Sequence, residues 1–367
     1  MLRLVLIFIV SLTSLSAERR AKNIILFLGD AGGIPTLHAA SVYGHNHPQK
    51  LFIQGMPYIA LVDTSPADSW VTDSAAGMTA IVTGQKTKNG VISQSADAVR
   101  GKKDGALLKT ILEHAEERGL STGVVSNVSI ADATPAACYA HANDRRMTGE
   151  IFSQVLSPRF GDGVDIVFGA GRKPILEATA KLGVQIESAL RGRGFAVASS
   201  VDELPPAARR AVVLYDSGGF DLPAAVNRAI SSLSQNRKGF FLMVECDMHT
   251  NDLKRGLDRA LIMDRMVRDV AARMSRDTLI LFTADHSFDI RVQRGAQGEP
   301  VLPADGDGAK PQPAARTPIR VDNSHTGEQV LLAAMGPGAS RVRGFLLNTD
   351  TFHIMMQAYG WEKPKSK

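Results

Sequence analysis

The chain holds 367 residues, 44% of them hydrophobic, and 42 lysines and arginines against 37 aspartates and glutamates leave a formal charge of +5. That length and apolar content support one sizeable core and a single large α/β domain. The charge is mild and its basic residues are dispersed, so no nucleic-acid module is indicated, although the sign could favour anionic substrates at low salt. The only cysteines, Cys138 and Cys246, each adjoin a polar motif. In an oxidising compartment they could pair, but two buried thiols are the expectation.

Residues 1–17 carry Arg3, an aliphatic run at 4–10 and then small and polar residues. The run is too short to span a membrane and suits an export signal cleaved near Ala17. No cysteine lies there to carry a lipid anchor, and no later run reaches membrane length. Residues 18–367 then form the single domain; without Arg3 it has 41 basic against 37 acidic side chains, or +4. A periplasmic or secreted protein is expected.

Four aliphatic runs end abruptly in metal-ligating residue types. Residues 23–28 run into Asp30, 123–128 into Asp132 and Thr134, 240–244 into Glu245, Asp247 and His249, and 278–283 into Asp285 and His286. Such continuous runs read as strands buried on both faces of a parallel sheet. Residues 165–169 and 330–335 add two strands, and helical patterns at 107–118 and 253–275 follow strands. This alternation predicts a three-layer α/β sandwich with a doubly wound, mostly parallel sheet. Ligands bind beyond the carboxyl ends of such strands, so the polar clusters should converge on one edge.

Between the first two runs, Val71-Thr72-Asp73-Ser74-Ala75-Ala76-Gly77 sets a serine among small residues at a helix start, closely followed by Thr83-Gly84-Gln85-Lys86-Thr87-Lys88-Asn89-Gly90. Alone, Asp73-Ser74 is an ordinary helix cap. In this company Ser74 reads as a nucleophile, and a hydroxyl in that role needs a base or a metal to activate it. Residues 288–320, rich in Pro, Gly, Ala and Gln, separate Asp285-His286 from His325 and are expected to overhang the site as a loop.

These motifs resemble those of the alkaline phosphatases, serine-nucleophile phosphomonoesterases with two zinc ions and a third, usually magnesium, site. The resemblance runs from about residue 23 to residue 359. It implies Ser74 as nucleophile and ligand of the second metal, and Asp30 as the carboxylate shared by the second and third metals. Asp285 and His286 match the second zinc, His325 the first, and Asp132, Thr134 and Glu245 the third site, with Asp132 acting through water. Arg145, thirteen positions beyond Asp132, matches the arginine that clamps phosphate. Taken singly, Asp30, Asp132 or Asp285-His286 could be turn, cap or loop residues; together and in this order they carry the resemblance.

One segment departs from the pattern. The family places an aspartate five positions after the glutamate and a histidine four beyond it, both on the first zinc, where this chain has Thr250 and Lys254. Asp247 and His249 are the nearest substitutes and share a face with Glu245 if the strand continues. Asp252 is the alternative if the chain turns helical after Met248.

The implied activity is hydrolysis of a small-molecule phosphate monoester to alcohol and inorganic phosphate through a phosphoserine on Ser74. Zinc accepts imidazole and carboxylate, and the oxygen donors Thr134 and Glu245 suit magnesium. Arg145 offers a planar fork for two phosphate oxygens. Dimers among such enzymes leave a homodimer open. A phosphodiesterase, phosphonate hydrolase or sulfatase of the same superfamily is the second reading; the third-metal set and the lack of a Cys or Ser-x-Pro-x-Arg signature count against it. A non-catalytic phosphate- or metal-binding protein on this scaffold is the third, motivated by the altered segment at 245–249. His141, four before Arg145, is expected to pack or orient on a shared helical face.

Overall fold

The computed structural model describes residues 19–274, 276–302 and 318–363. The expected export signal at 1–17, residues 304–308 of the overhanging loop and the tail at 364–367 lie outside them. The strands are β1 (Asn23–Asp30), β2 (Tyr58–Asp63), β3 (Ser121–Ser129), β4 (Ile166–Ala170), β5 (Ala196–Ala198), β6 (Ala211–Tyr215), β7 (Phe240–Asp247), β8 (Thr278–Thr283), β9 (Ser287–Val292), β10 (Ile319–Thr326), β11 (Val330–Met335) and β12 (Gly344–Leu347). The helices are α1 (Ile34–His45), α2 (Ser74–Thr83), α3 (Ile111–Glu117), α4 (Ala133–Tyr139), α5 (Thr148–Ser153), α6 (Arg172–Lys181), α7 (Ile186–Gly192), α8 (Leu222–Leu233), α9 (Leu253–Met274) and α10 (Asn348–Tyr359).

Ten strands build one sheet in the order β12-β2-β11-β8-β1-β7-β3-β4-β6-β5. Within it β11 alone runs against its neighbours β2 and β8, so the sheet is mixed and mostly parallel, with helices on both sides. The expected sandwich is the fold. Alternation sorts the side chains: Ile24, Leu26, Met243 and Leu281 face α2, α4 and α10, while Ile25, Phe27, Val244 and Phe282 face α1, α8 and α9. Each fully buried large side chain contributes about 1.5–3 kcal/mol, which holds the central strands as a rigid base for their polar ends.

Two expectations shift. The helix expected at 107–118 begins only at Ile111, because the Thr110 hydroxyl accepts from the Glu113 amide and the Glu113 carboxylate accepts from the Thr110 amide, a reciprocal cap that sets the start. Helix α4 stops at Tyr139, so His141 and Arg145 share no helical face. Instead His141 is buried, donates from Nδ1 to the Ser93 carbonyl at 2.7 Å and lies 3.0 Å from Glu113. Cys138 and Cys246 are buried free thiols, packed on opposite sides of the sheet.

Candidate active site

Strand β1 lies between β7 and β8, and their carboxyl ends put Asp30, Asp247 and the Asp285-His286 pair side by side. Asp30 is directly in register with Asp247. Ser74 enters from above as the first residue of α2, whose start is capped by the Asp73 carboxylate accepting from the Ala76 amide at 3.0 Å. Its hydroxyl oxygen is buried 3.4 Å from His286 Nε2, where the amide dipoles of the helix N-terminus favour negative charge on oxygen. Helix α2 reaches this depth because residue 77 is glycine: a β-carbon there would stand 2.8 Å from the Asp285 carbonyl oxygen.

The third wall is the β9–β10 hairpin. Between Val321 and His325 its register shifts, with Asn323 at φ 53°, and this bulge re-aims the end of β10. His325 stacks on His286 with ring centroids 3.6 Å apart and faces His249, Nε2 to Nε2, at 3.4 Å.

The tautomers follow from the partners. Each of the three imidazoles has its Nδ1 against an oxygen: His249 on Asp247 Oδ1 at 2.8 Å, His286 on the Ser287 carbonyl at 3.1 Å, and His325 on the Thr72 carbonyl at 3.2 Å. Carbonyl and carboxylate oxygens only accept, so Nδ1 donates in every case and the Nε2 atoms turn into one shared space. Asp30 Oδ1 is buried 3.2 Å from His286 Nε2 without a hydrogen bond, and Asp285 Oδ2 is likewise buried without a partner. Facing ring nitrogens and orphaned carboxylate oxygens in a buried site call for cations.

Electrostatics agree. Burial and the nearby Asp30 charge push Asp285 up to about 6. Burial works against charging His286, yet Asp285 and Asp30 outweigh it and raise the imidazole to about 9. Burial opposes ionisation of Asp30 too, but the histidines hold it below the usual carboxylate range. A bound proton thus stands where a metal could. His249, His286 and His325 form one close set of potential ligands, Asp30, Asp247 and His249 a second, and Asp30, Asp285 and His286 a third. Asp252 belongs to none of these sets: it lies just before α9, pairs with Arg255 and lines a cavity that includes none of the histidines.

The third expected site is built differently. Glu245 is buried on β7, accepts a short hydrogen bond from the Ser126 hydroxyl on β3, and is pushed well up by burial and by the charges of Asp30, Asp132 and Asp285. Thr134 is buried in the first turn of α4. Asp132 caps that helix and accepts from Arg145 Nη2 at 3.0 Å, while Arg145 Nη1 donates to Asp73 at 3.2 Å. The guanidinium therefore bridges the caps of α2 and α4, with its backbone amide tied to the Gly90 carbonyl.

Three positioning side chains escaped the sequence reading. Asn89 accepts from the Asp73 amide at 2.8 Å and donates to the Val71 carbonyl at 3.0 Å, which pins the turn before Ser74. Ser126 was visible as a polar residue inside an apolar run, whereas Arg259, which pairs with Asp247 from α9, carried no local signal.

The fold and this edge define a hydrolase site in which a buried serine stands among metal-ligating carboxylates and imidazoles. The alkaline phosphatase family profile matches residues 21–193 and 221–302. The chain belongs to the alkaline phosphatase family. It is 29% identical to Escherichia coli alkaline phosphatase, with 94% of this chain and 87% of that one aligned. It is also 29% identical to the streptomycin-6-phosphate phosphatase of Streptomyces griseus, over 95% and 92% of the two chains. The alkaline phosphatase of the Antarctic bacterium TAB5 shares the fold with a TM-score of 0.77 at 24% identity, over 94% of this chain and 100% of that one; a TAB5 variant was solved with magnesium in its M3 site.

Proposed function

We propose that this protein hydrolyses phosphate monoesters to an alcohol and inorganic phosphate, with Ser74 as nucleophile. The observation that carries the reading is the Ser74 hydroxyl lying 3.4 Å from His286 Nε2, inside the overlapping sets of metal-ligating side chains. Asp30, Asp285 and His286, with Ser74, would hold one zinc; His249 and His325, with Asp247 adjoining, the other; and Asp132, Thr134 and Glu245 a magnesium ion. Bound there, the ions would lower the pKa of oxygen nucleophiles and neutralise charge on the attacking and leaving oxygens.

The chain's own groups do the rest. Arg145 is presented as a fork to two phosphoryl oxygens, held in place by Asp73 and Asp132. Ser74 attacks phosphorus in line, the bond to the alcohol oxygen breaks, and phosphoserine forms. The serine proton passes to the departing alcohol; water then attacks, the bond from phosphorus to the serine oxygen breaks, one proton of that water returns to the serine oxygen and the other stays on the phosphate. The α2 N-terminus favours the charge that passes through the serine oxygen in both steps.

Zinc and magnesium content measured with turnover of a chromogenic monoester, before and after chelation, tests the reading. Two zinc per chain and turnover lost to chelator and restored by metal are expected. Stoichiometric phosphate binding without turnover in the metal-loaded protein would support the binding-protein reading instead, and preference for a diester or sulfate ester would move the assignment within the superfamily. Residues 1–17 are proposed as an export signal and 18–367 as one catalytic domain, which a mature N-terminus near residue 18 in exported protein would bear out. No helix among the described residues is long and apolar enough to cross a membrane.

A further inference from the structure

The altered segment after Glu245 carries a feature of its own. Asp30 and Asp285 each keep a buried oxygen without a hydrogen-bond partner, as expected of carboxylates that give that oxygen to a metal. Asp247 keeps none. Its Oδ1 accepts from the His249 amide at 3.0 Å and from His249 Nδ1 at 2.8 Å. Its Oδ2 accepts a short hydrogen bond from Arg259 Nη1, and the same nitrogen donates to the Asp247 backbone carbonyl at 3.3 Å. Both side chains are mostly buried, at 18% and 19% exposed, so water competes weakly for the pair. The His249 ring is fixed, and its Nε2 faces His325 Nε2.

We propose that Arg259, Asp247 and His249 form one positioning chain for the first metal, in which Asp247 orients His249 instead of ligating, and Arg259 holds Asp247 to that task. Carboxylates behind metal-bound histidines fix the tautomer and aim the ring in this way. The arginine also cancels the charge of Asp247, so the first site presents neutral imidazoles while the second, with Asp30 and Asp285, is anionic. Imidazole ligation favours zinc or cobalt over magnesium there. This rests on the proposed function only in taking the histidine cluster as a metal site.

The test uses the full chain stripped of metal and titrated with zinc, in wild type and in Arg259→Ala, Arg259→Lys, Asp247→Asn and His249→Ala. Arg259→Ala and Asp247→Asn should each weaken one of the two zinc sites about 10–100-fold and leave the other unchanged. Arg259→Lys should recover most of the affinity, because a single ammonium can donate to both acceptors that Nη1 now serves. Asparagine keeps an oxygen for His249 Nδ1, so cobalt-loaded Asp247→Asn should retain the wild-type visible spectrum. Unchanged zinc affinity in Arg259→Ala overturns the proposal, as does loss of the site in Asp247→Asn as complete as in His249→Ala, which would make Asp247 a direct ligand. Should Arg259→Ala misfold, the near-isosteric Asp247→Asn decides. Wild type binding no zinc would overturn this proposal and the metal-centre reading together; two zinc sites in wild type with either adverse variant result would overturn this one alone.

Discussion

Buried carboxyl groups cluster at both edges of the sheet, and only one cluster makes a candidate site. At the amino edge Glu116 is raised to about 9 by burial, eased by a hydrogen bond from the Thr122 hydroxyl, with Asp165 and Asp162 adding to the rise. Asp165 is raised to about 6 by burial despite accepting from the Thr122 amide at 2.9 Å. These groups meet hydroxyl, amide and arginine partners, and protonation settles the one buried Glu116 oxygen that, like those of Asp30 and Asp285, has no partner. At the carboxyl edge Asp30 and Asp285 meet imidazoles turned inward and each keeps an unpartnered oxygen. Burial lifts carboxyls at either edge; imidazoles whose Nε2 atoms share one space distinguish a metal centre from a buried structural cluster.

The difference can be broken at its strongest point by Ser74→Ala, which should lower kcat by about a thousandfold or more while far-UV circular dichroism stays native. Retention of most turnover would remove the serine from the mechanism. Arg145→Lys should lower kcat/KM by about 10–100-fold, since one charge-assisted hydrogen bond of roughly 1.5–3 kcal/mol is lost and an ammonium cannot copy the fork. An effect confined to stability would assign the arginine to holding Asp73 and Asp132 alone. Gly77→Ala should cost about 1–3 kcal/mol of stability by overpacking against the Asp285 carbonyl and reduce turnover, as denaturant melts beside initial rates will show.

The mildest change sharpens the comparison from the other edge. Glu116 binds its proton more tightly folded than unfolded, so its contribution is present below its ordinary value of 4.5 and lost as pH rises toward about 9. Glu116→Gln keeps an acceptor for Thr122 and carries no titrating group. Relative to wild type it should gain about 2 °C or more in Tm between pH 5 and pH 9, with kcat unchanged. Parallel Tm curves would show that burial does not hold Glu116 protonated.

Much of this was legible in the chain. The runs ending at Asp30, Asp132, Glu245 and Asp285 read as buried parallel strands because uninterrupted aliphatic stretches of that length have few other homes, and their observed strands extend to or near those polar ends. Strand β8 matches its expected bounds, Thr278–Thr283. Strands β2, β5, β6 and β12 went unread because they are short or lie toward the sheet's edges, where half-exposed residues blur the pattern; β9 and β10 went unread because they take in both ends of the stretch expected as a loop, 288–292 and 319–320. His141 was assigned to a helix that ends before it, since spacing by four says nothing about where a helix stops.

The sequence by itself determined the fold class, the residue types at each strand end and their order along the chain, because burial and strand propensity act locally and leave a readable pattern. Only the tertiary structure decided which of them meet. His249, and not Asp252, joins His286 and His325: β7 ends at Asp247 and α9 starts at Leu253, and Asp252 lines a cavity that includes none of the three histidines. Arg259 reaches Asp247 from a helix packed on the opposite face from Ser74. Such contacts depend on how strands and helices cross in three dimensions, and no local run of residues encodes that crossing.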